Sequence, residues 1–250
     1  MKMIKVLSLI IFILIIDVYA NKRTSYEDRL GKTVAATILG KYEQSKNEKL
    51  INYVNLVGQS IVETSGRKDI YYYFTVLKDD DTFAVACPGG YIFISTGLIK
   101  LLKNESELAG ILAHEISHVN EKHVLDELDT EGGTGASMLT QILMARHTTT
   151  TVALSEMSDK AITMVLDKGL NEGDEFDSDI AAILFLQKTG YYPQSYLDAL
   201  SRLPTDKLTH SKTHPDLDNR IKALKEIFPN DLLNSGVKLK ERFDNHAIFN

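Results

Sequence analysis

The sequence predicts an α+β fold, mostly helical, with one small β-sheet packed beside a long helix. Three observations support this. Apolar residues recur at three- and four-residue spacing through most of the chain. Between residues 70 and 95 that texture gives way to short runs rich in aromatic and β-branched residues. Helical spacing then resumes at residue 104 and continues with few interruptions to residue 228.

In chain order, residues 1–20 stand apart. A basic start, Met1-Lys2-Met3-Ile4-Lys5, precedes the almost wholly apolar run Val6–Ile16, and Val18-Tyr19-Ala20 suits signal peptidase. The expectation is a signal peptide cut after Ala20, leaving residues 21–250 as one exported domain. The apolar run is shorter than the ~20 residues of a membrane span, and Asp17 interrupts it. An uncleaved N-terminal anchor is the alternative. No later stretch is long and apolar enough to span a bilayer.

Residues 26–40 and 47–65 have helical spacing, the second through the stripe Leu50, Ile51, Val54, Val57, Ile61 and Val62, with Gly66 as its stop. Residues 70–77, 82–86 and 91–95 read as strands, the last two joined by Cys87-Pro88-Gly89-Gly90. The next helix is expected over 104–124, with Asn104 as N-cap and Glu107 three residues on, as in a capping box. Residues 129–137 contain Glu131-Gly132-Gly133-Thr134-Gly135 and read as a loop that could act as a lid. Helices are expected at 136–146, 153–168, 174–189, 194–203 and 217–228, the last stopping before Pro229.

Composition narrows the functional classes. At 44% hydrophobic and 25% charged residues the chain is ordinary globular material. Its net charge of -6 provides no basic footprint for nucleic acid. A lone cysteine, Cys87, excludes an internal disulfide and any cysteine-rich zinc site, and nothing beside it in sequence would activate it as a nucleophile.

Within the 104–124 helix, His114-Glu115-Ile116-Ser117-His118 reads H-E-x-x-H. Residues i and i+4 share a helix face, so His114 and His118 can grip one metal ion. Glu115 is turned about 100° from His114, off the ion but near enough to serve as a base. This is the residue set of zinc-assisted amide hydrolysis. The short pattern also arises by chance. Here Leu108, Ile111, Leu112, Ile116 and Val119 make the helix apolar on one face, and buried imidazoles there need partners.

A third ligand is required. The downstream pattern H-E-x-x-H-x-x-G-x-x-H fails, because Glu121 and Val124 stand where it wants Gly and His. His123 is one position early and reads as a surface residue or a neighbour of the ligands, not a ligand. Residues 172–179 are acidic, as suits an exposed helix start. However, Glu175 and Asp179 are i and i+4, and Ala182, Ile183 and Leu186 continue their face inward. Glu175 is therefore the candidate third ligand, with Asp179 behind it orienting a histidine.

Four segments together resemble the zinc metallopeptidases of the HtpX and CAAX-prenyl endopeptidase group, especially their small soluble periplasmic members. They are Phe83–Phe93 with Thr96-Gly97-Leu98, Glu107–His118, Glu175-Phe176-Asp177-Ser178-Asp179, and Thr213-His214-Pro215 with Arg220. The resemblance spans about residues 50–228. It implies a zincin-type fold and one zinc on His114, His118 and Glu175, with Glu115 as catalytic base. It also places His214 near the metal, either stabilising the oxyanion or plugging the site. Arg220 would hold the His214 loop or an acidic partner. Asp81-Thr82-Phe83 stands where the group usually has Asn-Ala-Phe, and Ser178 replaces the usual Ala.

The resemblance implies peptide-bond hydrolysis in unfolded or misassembled exported proteins, in a bacterial periplasm, with envelope assembly factors as possible partners. The strand near 83–86 would receive an extended peptide on its edge. Two other readings keep the metal site: a zinc-binding chaperone or assembly factor with His214 plugging the ion, and a hydrolase of non-peptide amides in the cell wall.

Overall fold

In the computed structural model, which describes residues 26–65, 67–131, 147–204 and 217–247, the chain is mostly helical around a three-stranded sheet. Helix α1 (26–41) and helix α2 (Glu48–Ser65) precede strand β1 (Tyr73–Leu77). Strand β2 (Ala84–Cys87), a 3₁₀ turn (Pro88–Gly90) and strand β3 (Tyr91–Ser95) complete the sheet. Gly89 has φ 74°, a left-handed conformation that glycine adopts without strain, and so lets the turn close in three residues. The predicted mixture of helices with one small sheet is thus found.

The sheet order is β1-β3-β2, with β1 parallel and β2 antiparallel to β3. Alternation splits its side chains between two apolar layers. Phe74, Val76, Ala84, Ala86, Ile92 and Ile94 join the core built on α2. Leu77, Phe83, Val85, Cys87 and Phe93 face the layer that contains α1. The outer edge of β1 is closed. Asn55 and Gln59 of α2 donate side-chain hydrogen bonds to the carbonyls of Phe74 and Tyr72, at 2.9 and 3.0 Å. Among the described residues, no strand pairs with the outer edge of β2.

Helix α3 (Thr96–Leu101) leads to helix α4 (Glu105–Glu121), which carries His114 and His118. Asn104 caps α4 by accepting from the Glu107 backbone N–H, and Glu107 reaches back to the Lys103 N–H at 2.8 Å. Residues 105–119 are buried all round, as expected of a helix enclosed by other elements. Helix α4 ends sooner than the sequence predicts. Lys122 is left-handed at φ 63°, and its N–H returns to the carbonyls of His118 and Val119. Helix α5 (His123–Glu131) starts anew in another direction.

Helix α6 (His147–Thr163) runs into a π-helical turn, Met164–Lys168, inside the stretch predicted as a single helix. Helix α7 (Glu172–Thr189) begins at the Asn171 cap and ends at left-handed Gly190, two residues earlier at its start than predicted. Helix α8 (Gln194–Leu200) stops short of the predicted 203, and helix α9 (Leu217–Ile227) ends before Pro229 as predicted.

Two short helices, α10 (Asn230–Leu233) and α11 (Lys240–His246), follow. The sequence did not signal them. Arg242 of α11 forms a double ion pair with buried Glu105 at the start of α4, and Tyr53 and Tyr191 donate to the same carboxylate at 2.9 and 2.8 Å. The signal-peptide segment, the helix expected at 136–146, Gly132–Gly135 of the lid loop and His214 lie outside the described residues.

Candidate metal centre

The crossing of α4 and α7 creates the site. The rings of His114 and His118, one helical turn apart, meet edge to face with centroids 4.6 Å apart. Their Nε2 atoms converge to 3.0 Å. From α7, Glu175 brings Oε2 to 3.5 Å from His114 Nε2 and Oε1 to 3.4 Å from His118 Nε2. Donor atoms of the three residues all lie within 4.8 Å of one another, and all three side chains are buried. Among the described residues this is the one such grouping. Two imidazoles and a carboxylate aimed at one point fit a small divalent ion, and two nitrogens with one oxygen suit zinc.

A charged network backs these donors. Asp179, one turn after Glu175, places Oδ1 3.1 Å from His114 Nδ1, a position from which it could orient that ring. Arg220 reaches in from α9. It donates from Nε and Nη2 to Asp179 at 2.7 and 2.6 Å, and its Nη1 lies 3.0 Å from Glu175 Oε2. Arg220 thus lies against two acidic side chains, and the His214 loop, its other expected partner, lies outside the described residues. Burial opposes the charged form of Asp179, but Arg220 and His114 together outweigh it and hold the carboxyl down at about 2. Burial likewise opposes the imidazolium of His114. The hydrogen bonds to Asp179 and Glu175 overcome this and raise its pKa to about 9.

Tyr196 of α8 was not predicted. Its hydroxyl donates to Asp179 Oδ1 at 2.6 Å and lies 2.9 Å from His114 Nδ1. Gly110 permits this approach, since a Cβ there would come within 2.8 Å of the Tyr196 ring and Cβ. A lone tyrosine in a short apolar helix gives no sequence signal of such a role. Gly110, one turn before His114 in a buried helix, was the available hint of close packing.

His123 takes the second of the two places expected for it, beside a ligand. It is buried, not at the surface, and its Nδ1 sits 2.9 Å from His118 Nδ1. The donor grouping is His114, His118 and Glu175, and His123 is not part of it. Cys87 is a packed core residue, and burial pushes its thiol far above the usual range.

Glu115 is buried between two hollows that follow β2. The larger, about 510 Å³ including its solvent-open mouth, is lined by Phe83, Ala84, His114 and Tyr196. The smaller, about 260 Å³, is lined by Val85, Ala86, His118 and Glu175. Residues 83–86 therefore run past Glu115, with His114 lining one hollow and His118 the other.

A family profile described as Peptidase family M48 matches residues 48–228. The chain is 29% identical over 187 residues to the beta-barrel assembly-enhancing protease of Yersinia pestis, covering 69% of this chain and 37% of that protein. It is 26% identical over 202 residues to the protein of that name from Escherichia coli strain K12, covering 76% and 40%. Mitochondrial metalloendopeptidase OMA1 of Schizosaccharomyces pombe is 24% identical over 223 residues, covering 85% and 59%. The chain thus spans well under two thirds of the length of these curated relatives.

Proposed function

The chain belongs to peptidase family M48, and on that footing we propose that it is a zinc metalloendopeptidase acting on unfolded or misassembled exported proteins. One observation carries this reading above the others. His114, His118 and Glu175 converge beside Glu115, which lines two hollows that are also lined by residues 83–86 of strand β2 and its approach.

In this reading His114 and His118, through Nε2, and Glu175, through its carboxylate, hold one zinc. When bound there, zinc supplies Lewis-acid polarisation and makes water nucleophilic near neutral pH. Glu115 takes a proton from the attacking water on its carboxylate and delivers it to the leaving nitrogen. Asp179 and Tyr196 keep His114 oriented, and Arg220 keeps Asp179 ionised. A peptide lying along β2 would be held by main-chain hydrogen bonds, which favours extended, unfolded segments over any one sequence. His214, by the resemblance described above, would either stabilise the oxyanion or plug the zinc.

Two relatives carry beta-barrel assembly in their names, which supports envelope protein quality control as the setting and assembly factors as partners. The N-terminal apolar run supports export to a periplasm. Among the described residues no helix is long and apolar enough to cross a membrane. Within the family we read the chain as a small periplasmic member of HtpX and CAAX-prenyl endopeptidase type, supported by the order of its four motif segments.

The test is metal content and casein cleavage of the chain beside Glu115→Gln and Glu175→Ala. The expected result is one zinc per chain, with cleavage lost but zinc kept in Glu115→Gln, and zinc lost in Glu175→Ala. Function retained in Glu115→Gln would favour the chaperone reading. Absence of zinc in the unaltered chain would end the proposal.

A further inference from the structure

We propose that His123 is a positioning residue for the metal: it accepts the Nδ1 proton of His118 and so holds the ring with a bare Nε2 toward the ion. The inference rests on the reading that His114, His118 and Glu175 bind zinc.

The two Nδ1 atoms are 2.9 Å apart, and the rings meet at 75° with centroids 5.0 Å apart. An N···N contact this short holds one proton. His118 Nε2 faces His114 Nε2 and Glu175, so a liganding, neutral His118 must carry its single proton on Nδ1. His123 Nδ1 must then be the acceptor, and its own proton resides on Nε2. That nitrogen points toward Asp174, whose Oδ1 is 3.9 Å away. This arrangement of protons runs from the ion through His118 to His123, whose Nε2–H is left facing the acidic start of α7.

The backbone is shaped to make this contact. On an unbroken helix, residues 118 and 123 would lie about 140° apart around the axis and could not meet. The left-handed Lys122 ends α4 and turns α5, and this returns His123 against His118. Non-glycine residues rarely take that conformation, so it persists where surrounding structure demands it. Helix α7, which supplies Glu175, also supplies the groups beside His123, with Ser178 Oγ 3.5 Å from Nδ1. The two histidine ligands are thus held differently. His114 leans on the Asp179 carboxylate and the Tyr196 hydroxyl, and His118 leans on a second imidazole.

The experiment is Zn²⁺ affinity, measured by chelator competition on the full chain, for the unaltered protein, His123→Leu and His123→Asn. Asparagine keeps an acceptor, Oδ1, at the place of Nδ1, and leucine keeps only bulk. The expected result is an affinity about 10- to 100-fold weaker in His123→Leu and restored to within about fivefold in His123→Asn. An unchanged affinity in His123→Leu, or equal weakening in both variants, would overturn the proposal. Independently of any variant, ¹⁵N shifts of the zinc-loaded chain should show His118 protonated at Nδ1 and His123 at Nε2. A proton on His123 Nδ1 would also overturn it. If the unaltered chain binds no zinc, the underlying metal reading fails. If it binds zinc and His123 proves indifferent, only this inference fails.

Discussion

Replacing Arg220 with methionine removes the guanidinium that faces two buried carboxylates. The guanidinium makes two hydrogen bonds to Asp179, at 2.7 and 2.6 Å, and stands 3.0 Å from Glu175. Both carboxylates are fully buried. Burial alone would raise the Asp179 pKa, yet the site holds it near 2 against an ordinary value of 3.8. That displacement corresponds to roughly 2.5 kcal/mol of stability at neutral pH. Removing a cation 3.0 Å from buried Glu175 adds to the loss. The total expected in the metal-free chain is about 3–5 kcal/mol, the range for breaking a buried ion pair.

The sign with pH is fixed by the same displacement. A lowered folded-state pKa contributes stability that is present above 3.8 and lost as pH falls toward 2. In Arg220→Met, Asp179 protonates at higher pH, so the gap between the two proteins should narrow on acidification. Urea unfolding of chelator-treated protein at pH 7 and about pH 3 measures both effects. Saturating zinc should shrink the gap at pH 7, because the ion compensates Glu175 in place of Arg220. A metal-free loss below about 1 kcal/mol at pH 7, or a gap that does not narrow in acid, would refute the argument.

Three further outcomes follow from the same geometry. Tyr196→Phe removes the hydroxyl bonded to Asp179 and close to His114; zinc affinity in chelator competition should fall by about tenfold. Gly110→Ala places a methyl 2.8 Å from Tyr196; despite the better helix propensity of alanine, denaturant titration should show a net loss of about 1 kcal/mol or more, with weaker zinc binding. With its pKa near 9, His114 is protonated at pH 7 in the metal-free chain, so zinc must displace that proton. Calorimetry in buffers of differing ionisation enthalpy should count about one proton released at pH 7, and a count near zero would contradict the charge state assigned to His114.

Much of the site was legible because its spacing is local. His114 and His118 share a face by helical period alone, and Glu175 and Asp179 repeat that logic on α7, where the apolar residues that follow show which way the face points. The pairing of β1 with β3 was not legible, since nothing in either run distinguishes parallel from antiparallel neighbours. That His123 would meet His118 rather than lie at the surface was not legible, for a physical reason. Periodicity assumes a continuous helix, and Lys122 is not a residue that announces a left-handed stop. Tyr196, Arg220 and Arg242 act through tertiary contacts with residues 17 to 137 positions away, at distances no local pattern encodes. The resemblance brought Arg220 into view, and only the structure shows what it holds.

The charges around the donors explain why so polar a cluster can remain buried. Glu175 and Asp179 contribute two negative charges, and Arg220 with protonated His114 contributes two positive ones. The metal-free cluster is therefore neutral overall, which limits the cost of enclosing it. A divalent ion that expels the His114 proton changes the net charge by only one. The protein thus folds around the donors before metal arrives, and the competition is between a proton and an ion for one histidine. Glu115 is not among the three donors, and it lines both hollows beside β2. A carboxylate beside the donors but outside the ligand set is what proton transfer during turnover requires, and a storage or structural metal site has no need of it.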